Sequence, residues 1–320
     1  MTRIRSLVFG MAAAVAACGV ASAQGSYPNQ MVRIVVPFSA GSITDNLARI
    51  LADKLGETWK QQVIVENRAG LPGTTAVAKS TPDGYTLMLT SNGHTIAAVI
   101  NKSLQFDPVK DFAGVSQVAA VPMVMIVPPD FPAKTLQEFM AMARQQPGKL
   151  NFSSAGVAST SFLSGEILRQ NANVQMVHVP YKGAPEAITA VIRGDAQFYF
   201  APIPSAEELR KDKKVNILAI NSAKRMPQLP DTPTVAESGF PNYRYDSWFG
   251  VMAPAGTPKP ILDKVSQDIA KVLQMADVKD KLETMGSFPA PTTPEQFDEI
   301  IKSDTERYGK ILRDAGIGSN

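Results

Sequence analysis

Short runs of branched apolar residues alternate along the chain with segments whose apolar residues recur at helical spacing. Val32-Arg33-Ile34-Val35-Val36-Pro37 is the first such run and reads as a buried strand. Phe38-Ser39-Ala40-Gly41-Ser42-Ile43 turns the chain. Leu47, Ile50, Leu51 and Leu55 then mark a helix to about Trp59. Val63-Ile64-Val65 and residues 85–89 predict further strands. Strand, turn and helix in repeated order predict an α/β fold with mostly parallel sheet.

A second unit opens near Val124. Thr135 with Glu138 forms a capping box ahead of a helix that runs to about Gln146. Strands are expected over residues 150–153, 174–177, 196–200 and 215–220, and helices over 160–169 and 184–192. Pro258 and Pro260 start a helix with Ile261, Val265, Ile269, Val272 and Leu273 on one stripe. Thr293-Pro294-Glu295 starts the last helix, whose stripe is Phe297, Ile300, Ile301, Tyr308, Ile311 and Leu312. Both are expected to pack on the first unit. The outcome is two lobes with a hinge and a cleft: residues 24–123 with 222–320 as lobe 1, and 124–221 as lobe 2.

The N-terminus changes where this fold must work. Arg3 and Arg5 precede an apolar stretch over residues 7–17, and Ala21-Ser22-Ala23 fits a signal-peptidase site, so residues 1–23 read as a secretory leader. The stretch is short for a bilayer span, which needs about 20 apolar residues. Val15-Ala16-Ala17-Cys18 also resembles a loose lipoprotein box, but Gln24 after Ala-Ser-Ala fits ordinary cleavage better. A soluble periplasmic product beginning at Gln24 is expected, without cysteine and so without a disulfide framework. Without the two leader arginines, 30 basic residues stand against 29 acidic ones, and no basic cluster supports a nucleic-acid partner. Two histidines, His94 and His178, with no cysteine-rich spacing, give no zinc site. No cofactor is expected.

Candidate chemistry lies at two strand-to-helix turns. The first turn of a helix leaves N–H groups unpaired, and its dipole favours an anion. Ser39, Ser42 and Thr44 add hydroxyls, and Gly41 lets the main chain approach a ligand. The spacing is not that of a nucleotide loop; a plain connection capped by Ser42 or Thr44 is the alternative. Phe152-Ser153-Ser154-Ala155-Gly156 leading to Ser159-Thr160-Ser161 repeats the arrangement, with Ser154, Ser159 and Thr160 as donors. Asp45 either stabilises its helix end or reads a ligand amine. Asn92 and His94 follow a strand, where cleft residues sit. Tyr181 and the Gly183 and Ala184 amides open another helix, while Lys182 is expected in solvent. Phe38 and Trp248 either wall the ligand or belong to the core.

The chain resembles the substrate-binding proteins of tripartite tricarboxylate transporters, the Bug-type extracytoplasmic receptors. The signs are Val35-Val36-Pro37-Phe38-Ser39-Ala40-Gly41 with Asp45-Asn46-Leu47-Ala48-Arg49, Val65-Glu66-Asn67-Arg68-Ala69-Gly70, Pro82-Asp83-Gly84-Tyr85, Asp107-Pro108-Val109-Lys110-Asp111-Phe112, His178-Val179-Pro180-Tyr181-Lys182-Gly183-Ala184, Leu229-Pro230-Asp231-Thr232-Pro233-Thr234 and Trp248-Phe249-Gly250. The resemblance implies a type II Venus-flytrap fold, a monomer that binds a small organic acid between its lobes, whether dicarboxylate, aromatic carboxylate or acidic amino acid. It also implies membrane permease subunits as partners. It places ligand contacts on Phe38, Ser39, Ala40, Gly41, Ser42, Thr44 and Asp45. The opposite lobe contributes the stretches matching Ser154 to Thr160 and Pro180 to Ala184, with residues 201–205 including Pro202 nearby. Where the family usually has a second glycine, this chain has Ser42. Two rival functions remain: a sensor that docks on a membrane signalling protein, and a secreted hydrolase or isomerase using Ser154, Ser159 or His178. The second lacks a Gly-x-Ser-x-Gly elbow.

Overall fold

The computed structural model describes residues 27–38, 40–101, 103–156, 159–181, 183–243, 245, 247–314 and 316–318. The leader, Cys18, Ser39 and Lys182 lie outside the described residues. The chain begins with β1 (Val32–Val36), α1 (Ile43–Trp59), β2 (Val63–Asn67), α2 (Leu71–Ala78) and β3 (Thr86–Ser91). A 3-10 turn (Asn92–Ile96), α3 (Ala97–Ile100) and β4 (Phe112–Ala120) follow. The next elements are β5 (Met123–Val127), α4 (Leu136–Gln145), β6 (Asn151–Ser154), α5 (Thr160–Asn171), β7 (Val177–Pro180) and α6 (Ala184–Ile192). They continue with β8 (Tyr199–Pro202), α7 (Ile203–Lys211) and β9 (Asn216–Ile220). The chain closes with β10 (Trp248–Pro254), α8 (Lys259–Gln274), α9 (Ala276–Thr284), β11 (Phe288–Pro289) and α10 (Pro294–Asp314).

The larger sheet has the order β11-β4-β10-β3-β1-β2. β1 is parallel to β2 and β3, whereas β10 runs antiparallel between β3 and β4. The sheet is therefore mixed rather than mostly parallel, because β10 enters this lobe from the other one. Alternation along β1 serves both faces: Ile34 and Val36 join the core under α1 and α8, while Val35 joins Met88, Phe297 and Ile301 on the opposite side. Lobe 2 mirrors the plan. β5 lies antiparallel between β8 and β9, and β6 pairs in parallel with β7. A Phe152–Phe198 bridge connects the two sets.

Two of the expected strands start late. Val174 and Met176 are buried, but Asn173 at φ +48° and the Val174 N–H bond to Arg169 O belong to the turn that closes α5. Pairing therefore starts at Val177. Residues 196 and 197 bend instead, bonding β6 through Gln197 N–H to Asn151 O and Ser153 N–H to Phe198 O, and only Phe198 bridges to β6 before the chain changes partner to β5. The last helix departs further from expectation. Its first half packs on lobe 1 through Phe297 and Ile301, but Tyr308 and Leu312 join the lobe 2 core with Phe152, Phe162 and Phe198.

Candidate functional site

The chain crosses between lobes from β4 to β5 and again before β10. In register, Trp248 stands opposite Ala120 and Phe249 opposite Ser91, so β3 and β4 end where β10 begins. Met123 stands opposite Pro202 and Val124 opposite Ile220, so β8 and β9 end where β5 begins. β1 is parallel to β3, and β6 and β7 run with β8. The carboxyl ends of the parallel strands in both lobes thus point to the crossover. The starts of α1, α5 and α6 follow those ends, the usual place for a ligand in open α/β sheets.

In lobe 1, Ser42 is the N-cap of α1, and its Oγ accepts from the Asp45 N–H at 3.2 Å. Gly41 takes φ +79°, a conformation that favours glycine, and donates its N–H to Asp45 Oδ2 at 2.8 Å. The same oxygen accepts from Arg49 Nε at 3.0 Å, and Asp45 Oδ1 accepts from Asn67 Nδ2 at 2.9 Å. Burial opposes the charged carboxylate, yet Arg49, the Gly41 N–H and Asn67 outweigh it and hold the pKa down to about 2. Asp45 is buried and engaged on both oxygens, so in this conformation it shapes the loop rather than facing a ligand amine. Thr44 is buried beside it.

His94 is buried, with Nε2 donating to Pro108 O at 2.8 Å and its ring edge-on to Phe112 at 4.8 Å. Burial lowers its pKa to about 4. It lines a cavity of about 280 Å3 with Phe38, Leu71, Thr90, Ile100 and Phe106. Asn92 is fully buried and donates to Tyr245 Oη at 2.6 Å, tying the end of β3 to the segment that enters β10. Trp248 is core, with its indole N–H on Asp304 at 2.8 Å.

Lobe 2 builds its turn from neutral groups. Ser159 caps α5, accepting from the Phe162 N–H at 3.2 Å and donating to Gly156 O at 2.6 Å. Ser161 Oγ, 2.9 Å from Ser159 Oγ, accepts from the Ala155 N–H at 3.1 Å. Ser154 is fully buried, with Oγ 2.6 Å from His178 Nε2. Gly183 is the N-cap of α6, Tyr181 donates its N–H to Ser154 O at 2.9 Å, and Pro202 precedes α7. Among the described residues, none accepts from the first-turn N–H groups of Ile43 and Thr44, of Thr160 and Ser161, or of Ala184 and Glu186.

A family model described as the tripartite tricarboxylate transporter family receptor matches residues 47–317. The chain belongs to that family. As a tripartite tricarboxylate transporter receptor it is a periplasmic protein serving a membrane transporter. Protein BugT of Bordetella pertussis is 31% identical over 321 residues, covering 99% of this chain and 98% of its own. The structure of R. palustris Rpa4515 with adipate is 32% identical, with a TM-score of 0.78 over 91% of this chain and 99% of that one. MatC from Rhodopseudomonas palustris, with bound malate, is 30% identical, with a TM-score of 0.74 over 89% and 100%. The receptor has their two-lobed α/β periplasmic-binding-protein fold.

Three residues of the receptor's turns stood within quoted motifs but not among the expected contacts: Asn67, Arg49 and Ser161. Asn67 was findable once β2 was placed, since the parallel register sets it beside Val36 at the end of β1. The Ser154–His178 pair invites comparison with a serine nucleophile. Ser154 is fully buried, however, and no carboxylate among the described residues bonds the other ring nitrogen, so the acid–base–nucleophile relay is incomplete. Among the described residues no group of three or more His, Cys, Asp or Glu stands together to hold a metal ion.

Proposed function

We propose that this receptor binds a short aliphatic dicarboxylate, of the size range that adipate and malate span, between its lobes and hands it to permease subunits in the cytoplasmic membrane. The observation that carries this reading is the set of first-turn amides at α1, α5 and α6, all on strand ends directed at the crossover. Hydrogen bonds to charged groups contribute about 1.5–3 kcal/mol each, so a few per carboxylate give useful affinity without an arginine clamp. The relatives with adipate and malate support the same ligand class. The ligand loops are residues 38–45 on one side and 154–160 with 181–184 on the other, with Pro202 at their border. Cleavage after Ala23 releases a soluble monomer.

A second reading rests on the cavity beside Phe38. Its largely apolar wall suits the ring of an aromatic carboxylate. Melting curves with adipate, malate and benzoate separate the two. A ligand at a hundredfold excess over its Kd stabilises by about 2.7 kcal/mol, several degrees in midpoint. A rise with the dicarboxylates supports the first reading and a rise with benzoate alone the second. No rise with any organic acid sinks both.

A further inference from the structure

Lobe 2 holds a bonded pair of side chains at the base of its ligand loops. Ser154 ends β6 and His178 is its neighbour on β7, where Phe152 stands opposite His178 in the parallel register. The imidazole packs against both Phe152 and Phe162, with ring centres 4.9 and 4.6 Å from its own, and its Nε2 is 2.6 Å from Ser154 Oγ. That same Oγ accepts from the Gly156 N–H at 3.1 Å, and Ser154 O accepts from the Tyr181 N–H at 2.9 Å. One serine therefore ties together the turns that precede α5 and α6.

We propose that His178 is a positioning residue for the lobe 2 half of the ligand site: it fixes the Ser154 hydroxyl, which in turn fixes the Gly156 backbone and the start of α5. This rests on the receptor reading above. A serine hydroxyl has one proton and two lone pairs. Donating that proton to Nε2 leaves a lone pair aimed at Gly156, and this sets the ring tautomer with its proton on Nδ1. Gly156 takes φ +111°, a conformation that favours glycine and persists where its surroundings hold it: Ser159 bonds its carbonyl, and Ser154 Oγ is what holds its N–H. The two phenyl rings keep the imidazole from swinging away. Burial lowers the His178 pKa to about 4, against the pull of Glu166 on α5, so the ring is a neutral acceptor at neutral pH.

The test uses the purified receptor with His178→Phe, which fills the aromatic slot without a ring nitrogen, His178→Gln, which restores an acceptor, and Ser154→Ala. Amide exchange at Gly156 and Ala155 is followed by NMR without ligand, and affinity by calorimetry with adipate, malate and benzoate. In His178→Phe and Ser154→Ala we expect Gly156 to exchange at least tenfold faster while the β5 and β8 amides stay protected. Affinity for the acid that binds should fall about tenfold or more. His178→Gln should recover most of both. Unchanged Gly156 exchange overturns the proposal, as does faster exchange with unchanged affinity. If His178→Phe fails to fold, His178→Leu, which also lacks a ring nitrogen, is read in its place, since Ser154→Ala removes the Gly156 acceptor itself and tests only that link. If the wild-type receptor binds none of the three acids, the ligand reading falls, and exchange at Gly156 still decides whether His178 positions the turn.

Discussion

The starts of α1 and α5 occupy the same topological place in their lobes, and each is capped by a serine whose Oγ accepts an N–H at 3.2 Å. They differ in what locks the turn before the cap. Lobe 1 uses a buried carboxylate, Asp45, held by Arg49, Asn67 and the Gly41 N–H. Lobe 2 uses hydroxyls and a neutral imidazole, with no acid in the first turn of α5. An anion at α1 shares the helix dipole with Asp45, while at α5 it has the dipole to itself. Equal geometry thus comes with unequal electrostatics, and the α5 start is the more favourable of the two for negative charge.

Removing the charged lock should have the largest effect. Asp45→Ala strands the Gly41 N–H and removes one of two acceptors of Asn67 Nδ2, which keeps Phe38 O, while the half-exposed Arg49 can hydrate. We expect a loss of about 3 kcal/mol in urea unfolding, against about 1 kcal/mol for Ser161→Ala in the neutral lock. Equal losses would erase the contrast. Gly165→Ala comes next. A Cβ there would stand 2.6 Å from the buried Phe152 ring, which also flanks His178. Overpacking of this kind costs about 1–3 kcal/mol, partly offset by the better helix propensity of alanine, and about 2 kcal/mol net is expected from the same measurement.

Each lobe also carries one histidine kept neutral by burial, His94 and His178, each with a pKa near 4. The unfolded chain takes up their protons below about pH 6.5 while the folded one does not, so stability falls as pH drops from about 6.5 towards 4. His94 alone should contribute about 2 kcal/mol of loss between pH 7 and 4.5. His178, less buried, contributes less. Asp45 acts lower: its stabilisation is complete above about 3.8 and fades as pH falls through about 2. Glu237 and Glu295, held below their usual range, and Asp298, held above its own, also titrate at about pH 4 to 5, so the window from about pH 6.5 down to 5 is the one that reports the histidines. His94→Gln should flatten the slope by more than half, and an unchanged slope would remove His94 from the account.

What was legible in the sequence was local. Thr135 and Glu138 marked α4, and Thr135 Oγ1 does accept from the Glu138 N–H. The bounds of α6 were readable because Gly183 and Pro185 punctuate its start. β10 was not, since every one of its residues is buried and no alternation shows. Its reversed direction follows from the crossover, which no window of sequence contains. α2 was hidden by Pro72 and Gly73, although the glycine is there because a Cβ would strike Arg68 O. His94 was placed near the cleft because it follows a strand, and it does line the cavity beside Phe38, but its burial was not legible. Phe106 and Phe112, distant in sequence, close over it. The Ser154–His178 pair spans 24 residues and has no local signature.

The smallest expected effect tests the caps themselves. Ser42→Ala removes one side-chain acceptor from α1 and should cost about 1 kcal/mol, the usual value for an N-cap. Ser159→Ala removes the equivalent acceptor from α5 and also the bonds to Gly156 O and Ser161. It should therefore cost somewhat more, about 1.5 kcal/mol. The sharper difference lies in ligand affinity. The α1 turn keeps its shape without Ser42 because Asp45 still holds Gly41, so binding should weaken less than threefold. The α5 turn loses one of the hydroxyl links that hold it, with only Ser154 left on the Gly156 N–H and no carboxylate beside it, so binding should weaken more. Calorimetry on the two variants, with the acid that binds best, reads both numbers, and a larger loss for Ser42→Ala would reverse the assignment of which lobe is braced by charge.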